Sequence, residues 1–197
     1  MIRALRLAAI LAAFSLPAFS QVATWQIDPV HTSAQFAVRH LAISTVRGDF
    51  TKVTGQAQID EKDVSKSQIE VSIDASTLNT REPARDKDVK GPGFLEVDKF
   101  PTINFKSKRI GRAADGSLKI TGDLTIHGVT KEVTFDAESL APAIKDPWGN
   151  LRRGASATAK INRQDFGLTF NKALETGGLV VGNEVTMTID IELVKKS

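Results

Sequence analysis

Residues 184–193 read EVTMTIDIEL. Val185, Met187, Ile189, Ile191 and Leu193 alternate without a break with Glu184, Thr186, Thr188, Asp190 and Glu192. Successive side chains of a strand point to opposite faces, so this run makes a strand with one apolar and one polar face. A helix would scatter the same residues around its axis. The stretch therefore decides between two kinds of protein, and it decides for sheet.

The same period recurs along the chain. QIEVSIDASTL puts Ile69, Val71, Ile73 and Ala75 on one side and Ser72, Asp74 and Ser76 on the other. GASATAKINR alternates with small residues, Ala155, Ala157 and Ala159 leading to Ile161. GDLTIHG and KEVTFDAE flank an expected Gly-Val-Thr turn. Strands are expected near 31–40, 45–50, 53–60, 67–75, 101–110, 117–127, 131–140 and 154–163, with 183–195 as a ninth. One solvated face per strand is the mark of antiparallel sheet. Long antiparallel strands with little helix favour closure, so the expected fold is all-β, a closed antiparallel barrel of about eight strands.

One segment reads as helix, REPARDKDVKGPGFLEV, with Pro83 suited to a first turn and Gly91-Pro92-Gly93 as its stop. A second short turn is expected over 94–97, so that one or two short helices lie at a barrel mouth. NRQDFGLTFNKALETGG is less regular and is expected to cover that mouth. Small inward residues (Ala34, Ala75, Ala137, Ala155, Ala157 and Ala159) either leave a channel or pack a neighbouring element closely.

The chain opens MIRALRLAAILAAFSLPAFSQ. Arg3 and Arg6 precede a short apolar run, Pro17 breaks it, and Ala18-Phe19-Ser20 offers small residues before Gln21. This reads as a cleaved secretory signal over 1–20, with one barrel domain over 21–197. A periplasmic location follows, with secretion as the alternative. The chain has no cysteine, which sets aside a disulfide scaffold and thiolate chemistry. Of the 26 basic residues two fall in the leader, leaving 24 against 23 acidic, so there is no basic field for nucleic acid.

Catalytic constellations are not visible. The chain has three histidines. Two of them, His31 and His40, lie nine apart in HTSAQFAVRHL. If that stretch is one strand they point to opposite faces and cannot share a metal ion, and no metal site is expected. His127, before Gly128, reads as a turn residue. There is no HExxH, no GxSxG and no phosphate-binding glycine loop. Glu82 and Asp86 share a helix face, but Arg81, Arg85, Lys87 and Lys90 surround them as on a solvated surface.

Four ordered blocks resemble the YceI family: WQIDPVHTSAQFAVRHL, NTREPARDKDVKGPGFLEVDKFPTINFKS, LKITGDLTIHGVTKEVTFDAE and INRQDFGLTFNKALETGGLVVGNEVTMTIDIEL. The resemblance runs over residues 24–195. It implies an exported, lipocalin-like barrel whose apolar pore holds a polyisoprenoid chain, such as a quinone tail. The chain departs from that pattern at Asp88, where many members carry histidine, at Leu95, where many have a second phenylalanine, and at Phe170, where tryptophan is common.

On this reading the lining comes from the inward faces. Phe36 and Val38 belong to one strand, Val71 and Ile73 to another, followed by Phe105, Leu124, Ile126, Phe135, Ile161, Met187 and Ile189. Phe94, Phe166, Leu168 and Phe170 are expected to close an end. Arg81, Arg85 and His40 are the head-group candidates, and Trp148, Arg152 and Arg153 form a second basic–aromatic loop. The expected function is a non-enzymatic binding or carrier protein for an isoprenoid lipid. That lipid is the only ligand expected, without a further cofactor; contact with a membrane is transient. Two alternatives stand beside it. One is an enzyme or redox helper on a lipophilic substrate, which needs two polar groups converging in the pore. The other is a structural protein with a filled core, a homodimer through a strand edge.

Overall fold

The computed structural model describes residues 22–175 and 177–196, so the expected leader over 1–20 lies outside the described residues. Strands β1 (Val22–Ile27), β2 (Ser33–His40), β3 (Ser44–Phe50), β4 (Val53–Asp60), β5 (Gln68–Asp74) and β6 (Leu78–Asn79) precede the helix α1 (Pro83–Lys90). After it come β7 (Thr102–Arg112), β8 (Leu118–Ile126), β9 (Val129–Ala137), β10 (Ile144–Lys145), β11 (Leu151–Asn162) and β12 (Val181–Lys195). All pairings are antiparallel.

The strand that decides the fold also closes it. One edge of β12 runs along β11 from Glu184 to Val194. Its other edge meets β2 over Val181–Asp190 and then β1 over Leu193–Lys195. The circuit β12–β1–β4–β5–β7–β8–β9–β11 returns to β12, an eight-stranded barrel with β2, β3 and β6 extending the wall at one end. Closure removes the long free edges that an open sheet would expose. One seam is short: β9 pairs β11 only at Ala137–Ala157 and Asp136–Thr158, continued by the Glu138 and Ala141 amides. Beyond it, a 3₁₀ turn over Arg163–Phe166 buries Phe166 beside β9.

The alternating runs all fall on strands, including the ninth. β1 was not foreseen: of its six residues only Trp25 and Ile27 are buried, and Pro29 cuts the pattern short. Two expectations need correction. β2 starts at Ser33, so His31 lies in the preceding turn and strand parity does not govern it. The β8–β9 turn is His127-Gly128, not Gly-Val-Thr. Ile126 pairs Val129 directly, and the two turn residues take φ of 52° and 73°, as a tight twisted hairpin requires.

α1 begins where expected. Pro83 opens it, the Glu82 carboxylate accepts from the Ala84 amide, and Gly91 follows its end. No residue of α1 is fully buried, and only Val89 packs against the main apolar cluster. Its anchor is polar: Asp86 accepts from the Thr80 amide (2.7 Å) and hydroxyl (2.5 Å), and Arg85 donates to the Thr80 carbonyl (2.9 Å). Glu82 and Asp86 thus build the helix start. The 94–97 segment is a run of turns rather than a helix.

Candidate functional site

Strand register assembles the interior in rows. Ala159, Met187, Phe36 and Gly48 stand side by side across β11, β12, β2 and β3. Ala157, Ile189, Ala34 and Phe50 form the next row. Ala159 and Gly48 flank the Met187–Phe36 pair in the first row, and small and large residues alternate in the second, which lets side chains from both halves of a barrel interdigitate. At Gly48 a Cβ would come within 2.6 Å of the Phe36 ring, so glycine there makes room for the aromatic. Gly122 does the same for Phe105, whose ring meets Phe135 edge-on at 5.1 Å.

The expected lining residues are brought together. Ile73, Leu124, Ile126, Phe135, Ile161, Phe166, Leu168, Met187 and Ile189 are buried in one apolar cluster, with Phe36, Val71, Phe94 and Phe105 packed against it. Val38 and Phe170 lie outside that cluster. Val38 pairs Val185 and Val46 toward the end of β2. Phe170 is 38% exposed and rests on Phe94, ring centroids 4.8 Å apart. The alternative left open for the alanines is answered for four of them. Ala34, Ala75, Ala137 and Ala159 are 6% exposed or less and serve close packing. Two concavities, about 560 and 470 Å³, lie on the outer wall: one over Gln26, Gln56, Glu70, Lys106 and Asp123, the other between Val22 and Lys195.

The two barrel ends differ. At the end where β1 begins, a second cluster of Trp25, Ile27, Ala57, Ile59 and Leu193 is sealed by Arg153. At the other end sit α1, the 91–101 turns and the 163–181 loop. Leu95, Val97, Phe166 and Leu168 there join the main cluster, and the Phe94–Phe170 pair carries apolar surface outward. This is the mouth. His127 and Glu96 face each other on its rim at 3.4 Å, both at positive φ (52° and 48°). Glu96 is held below the usual carboxylate range, mainly by its bond from Lys99.

The head-group candidates all lie toward the mouth but do not converge. Arg81 is exposed at φ 68°, Arg85 is engaged with Thr80, and His40 ends β2 beside Ser44 and Val181. Two cations at this end escaped sequence reasoning. Lys131 lies opposite Leu124, on the inward face of β9, and stays exposed. Arg163 is 4% exposed and donates to the carbonyls of Gly182 (2.9 Å), Val181 (3.3 Å) and Leu168. A lone arginine closing an apolar alternating strand, as in AKINR, was the available signal.

The second basic–aromatic loop needs correction. Arg152 bonds Asp28 (2.6 Å), Asp146 (2.7 Å) and Glu192 (2.6 Å), and is no receptor for phosphate. Asp28 falls to about 2, first through its bond with His31 and then through Arg152. Arg152 draws Asp146 down as well. Asp28, His31 and Glu192 offer ligand atoms within 4.8 Å of one another, but a guanidinium already bonds both carboxylates. Arg153 turns to Glu61 and the Ala141 carbonyl, and Trp148 is exposed.

The sequence matches the family model of the YceI-like domain over residues 25–193. A UPF0312 protein of Vibrio parahaemolyticus is 35% identical over 188 residues, covering 93% of this chain and 94% of that one. Among solved structures, Burkholderia cenocepacia BcnA superposes with a TM-score of 0.74 at 19% identity, over 84% of this chain and 98% of its own. A polyisoprenoid binding domain from Saccharophagus degradans, implicated in plant cell wall breakdown, superposes with a TM-score of 0.63 at 13% identity, over 89% of this chain and all of its own. At those identities the two structures share the fold.

Proposed function

The chain belongs to the YceI-like family, and on that premise we propose that it is an exported, periplasmic carrier of an isoprenoid lipid, a polyprenyl chain or quinone tail. The tail lies among the inward side chains and is exchanged with a membrane. The observation that carries this reading is the single apolar cluster that runs from mid-barrel to the mouth and surfaces at Phe94 and Phe170. The polyisoprenoid-binding neighbour of the same fold supports it.

Packing sets the mode of entry. The inward residues meet one another, so a tail takes their place by displacing them, beginning at Phe170, Phe94 and Leu168 in the mouth loops. Aromatic, leucine and methionine side chains exchange rotamers for such a guest at modest cost. Transfer from water would be worth about 0.8 kcal/mol per methylene, about 30 kcal/mol for roughly forty carbons. That exceeds the affinity ceiling of about 18–21 kcal/mol, so it is no binding energy. From a bilayer the gain is near zero, because lipid tails are already apolar. A protein so poised releases its guest to a membrane instead of trapping it. A polar head would sit toward the mouth, where His40 ends the inward face of β2 and Lys131 lies one inward position below Val129 on β9.

The chemistry of the cluster favours binding over conversion. Its members are aliphatic and aromatic side chains, and acid–base work needs a titratable group within hydrogen-bond reach of the proton it moves. The test is expression of the full chain in a bacterium, fractionation, purification and organic extraction with mass spectrometry. A prenyl lipid in stoichiometric amount, from periplasmic protein, is the expected result. Protein that emerges empty, or with phospholipid alone, overturns the reading.

A further inference from the structure

We infer that the mouth docks on an anionic lipid surface, with Ile43, Phe170 and Leu179 entering the bilayer and Arg39, Arg47 and Lys172 meeting its headgroups. The inference rests on the carrier reading for its purpose and names the face through which the tail passes.

The three apolar side chains belong to one structural unit. Ile43 is 78% exposed at the tip of the β2–β3 hairpin. Leu41 and Ala42 before it both hold left-handed backbone, φ 52° and 60°, which costs energy in residues with a Cβ. The tip is tied to the 163–181 loop: the Leu41 amide donates to Val180 O (2.8 Å) and the Val180 amide to Lys172 O (3.0 Å). Leu179 bridges Ala173, and Asn171, the neighbour of Phe170, bonds Val181 O. Phe170 rests on Phe94, which packs on the interior cluster, so apolar surface is continuous from lumen to exterior here.

Charge selects the partner. Along the barrel wall cations are matched by acids: Lys106 with Glu70, Lys108 with Asp123, Arg109 with Glu132, Lys119 with Asp136, Lys160 with Glu184. At the mouth Arg39 bonds only the neutral Thr45 hydroxyl and Ala42 carbonyl. Arg47 and Lys172 have no ion pair among the described residues. Together the β2–β3 hairpin and the 163–181 loop carry Arg39, Arg47, Lys172 and the buried Arg163 against Asp49, Asp165 and Glu175, leaving them cationic by one charge. Among the other exposed apolar residues described, Val30, Ile144 and Trp148 surround Arg152 and its three carboxylates, a net acidic setting that an anionic membrane repels, and Val22, beside Lys62, Lys195 and Lys196, is a single side chain at the opposite end. Tryptophan exposure alone would favour that patch; its charge disfavours it.

The test is co-sedimentation with vesicles of equal parts phosphatidylcholine and phosphatidylglycerol, and of phosphatidylcholine alone. It uses protein lacking residues 1–20, whose apolar run would itself bind lipid; the barrel closes without them. Binding to the mixed vesicles, weaker on phosphatidylcholine, is expected. I43E should weaken it about tenfold or more, the worth of one buried aliphatic side chain. The R47E/K172E pair should weaken it and remove its salt dependence. V30E, at a site as exposed as Ile43, should leave it unchanged. The inference is overturned if the parent protein stays in the supernatant, if I43E binds like the parent, or if V30E weakens binding equally. It is also overturned if I43E only converts a dimer to monomer in sedimentation velocity, which would assign the face to a second copy. Prenol binding in detergent, measured on the same proteins, separates the two claims. Its failure in the parent sinks the carrier reading; its presence in a parent that does not bind vesicles sinks the docking face alone.

Discussion

The guanidinium of Arg153 stands over the Trp25 indole, 5.4 Å from the ring centroid, and closes one end of the barrel. β1 and the start of β11 meet there across the end of β12, since Leu193 pairs with both Ile27 and Arg153. Glu61 (2.6 Å) and the Ala141 carbonyl (3.0 Å) hold the guanidinium in place. On the carrier reading proposed above, a guest would enter at the other end. Trp25 is 1% exposed, so W25A should cost about 3–5 kcal/mol in urea unfolding, as for other buried aromatics. R153A should cost about 1–3 kcal/mol, through the lost cation–π contact and lost packing of its stem. E61A, at an exposed carboxylate, should cost under about 1 kcal/mol. A barrel as stable with R153A as without it would show that this end is not sealed by Arg153.

Three glycines should rank by what a methyl group would meet. At Gly122 an added Cβ overlaps the Lys106 carbonyl oxygen, and backbone has nowhere to go. At Gly48 it overlaps the tip of the Phe36 ring, which can turn. At Gly111 nothing lies within 4 Å. G122A should therefore destabilise most, by about 3 kcal/mol or more, G48A by about 1–3, and G111A by less than about 0.5. Urea midpoints at constant m-value give the order. Equal losses at Gly48 and Gly111 would mean that Phe36 does not occupy the place described.

What sequence could and could not reveal divides along physical lines. Period-two alternation is a property of the strand itself, so β5, β8 and β12 were legible, and with them the side on which Val71, Leu124 and Met187 would lie. β1 was not, because its single short repeat, Ala23, Trp25 and Ile27, is cut off by Asp28-Pro29. β6 and β10 are two-residue pieces made by pairing with β3 and β11, and no local signal specifies them. The same holds for the Arg152 node, whose partner Asp28 is 124 residues away. Whether alanines line a channel or fit beneath larger neighbours depends on facing volumes, which alternation does not encode.

Acid should weaken the fold through Asp28. Its bonds from His31 and Arg152 lower it from an ordinary 3.8 to about 2. A carboxyl depressed in the folded chain stabilises it fully above the unfolded value and loses that contribution as pH falls through the folded one. The window is therefore from about 4 down to about 2, and Asp146, lowered chiefly by Arg152, adds to it in the same direction. D28N should lower stability at neutral pH and flatten the dependence between pH 4 and 2. Urea midpoints measured across that range decide it; an unchanged slope in D28N would assign the acid limb to other carboxylates.

Arg163 should govern the mouth loops without governing the barrel. Burial alone pulls its guanidinium below the ordinary value, since no carboxylate offsets the desolvation. Its donors instead hold the Gly182, Val181 and Leu168 carbonyls, joining the 3₁₀ turn to the start of β12. R163M keeps the apolar stem and removes the donors, so the Gly182 and Leu168 carbonyls lose a partner while Val181 keeps its bond from Asn171, at a cost of about 3 kcal/mol. Because the affected groups lie in one loop, the loss should appear as local opening. Amide exchange at Leu168, Val180 and Val181 should accelerate, while Ile120 and Leu124 in β8 keep their protection. A carrier loaded through this mouth should then pass prenol to vesicles faster as R163M than as the parent. Uniform acceleration that includes β8 would show that Arg163 supports the whole barrel, and the mouth loops would not be an independently opening unit.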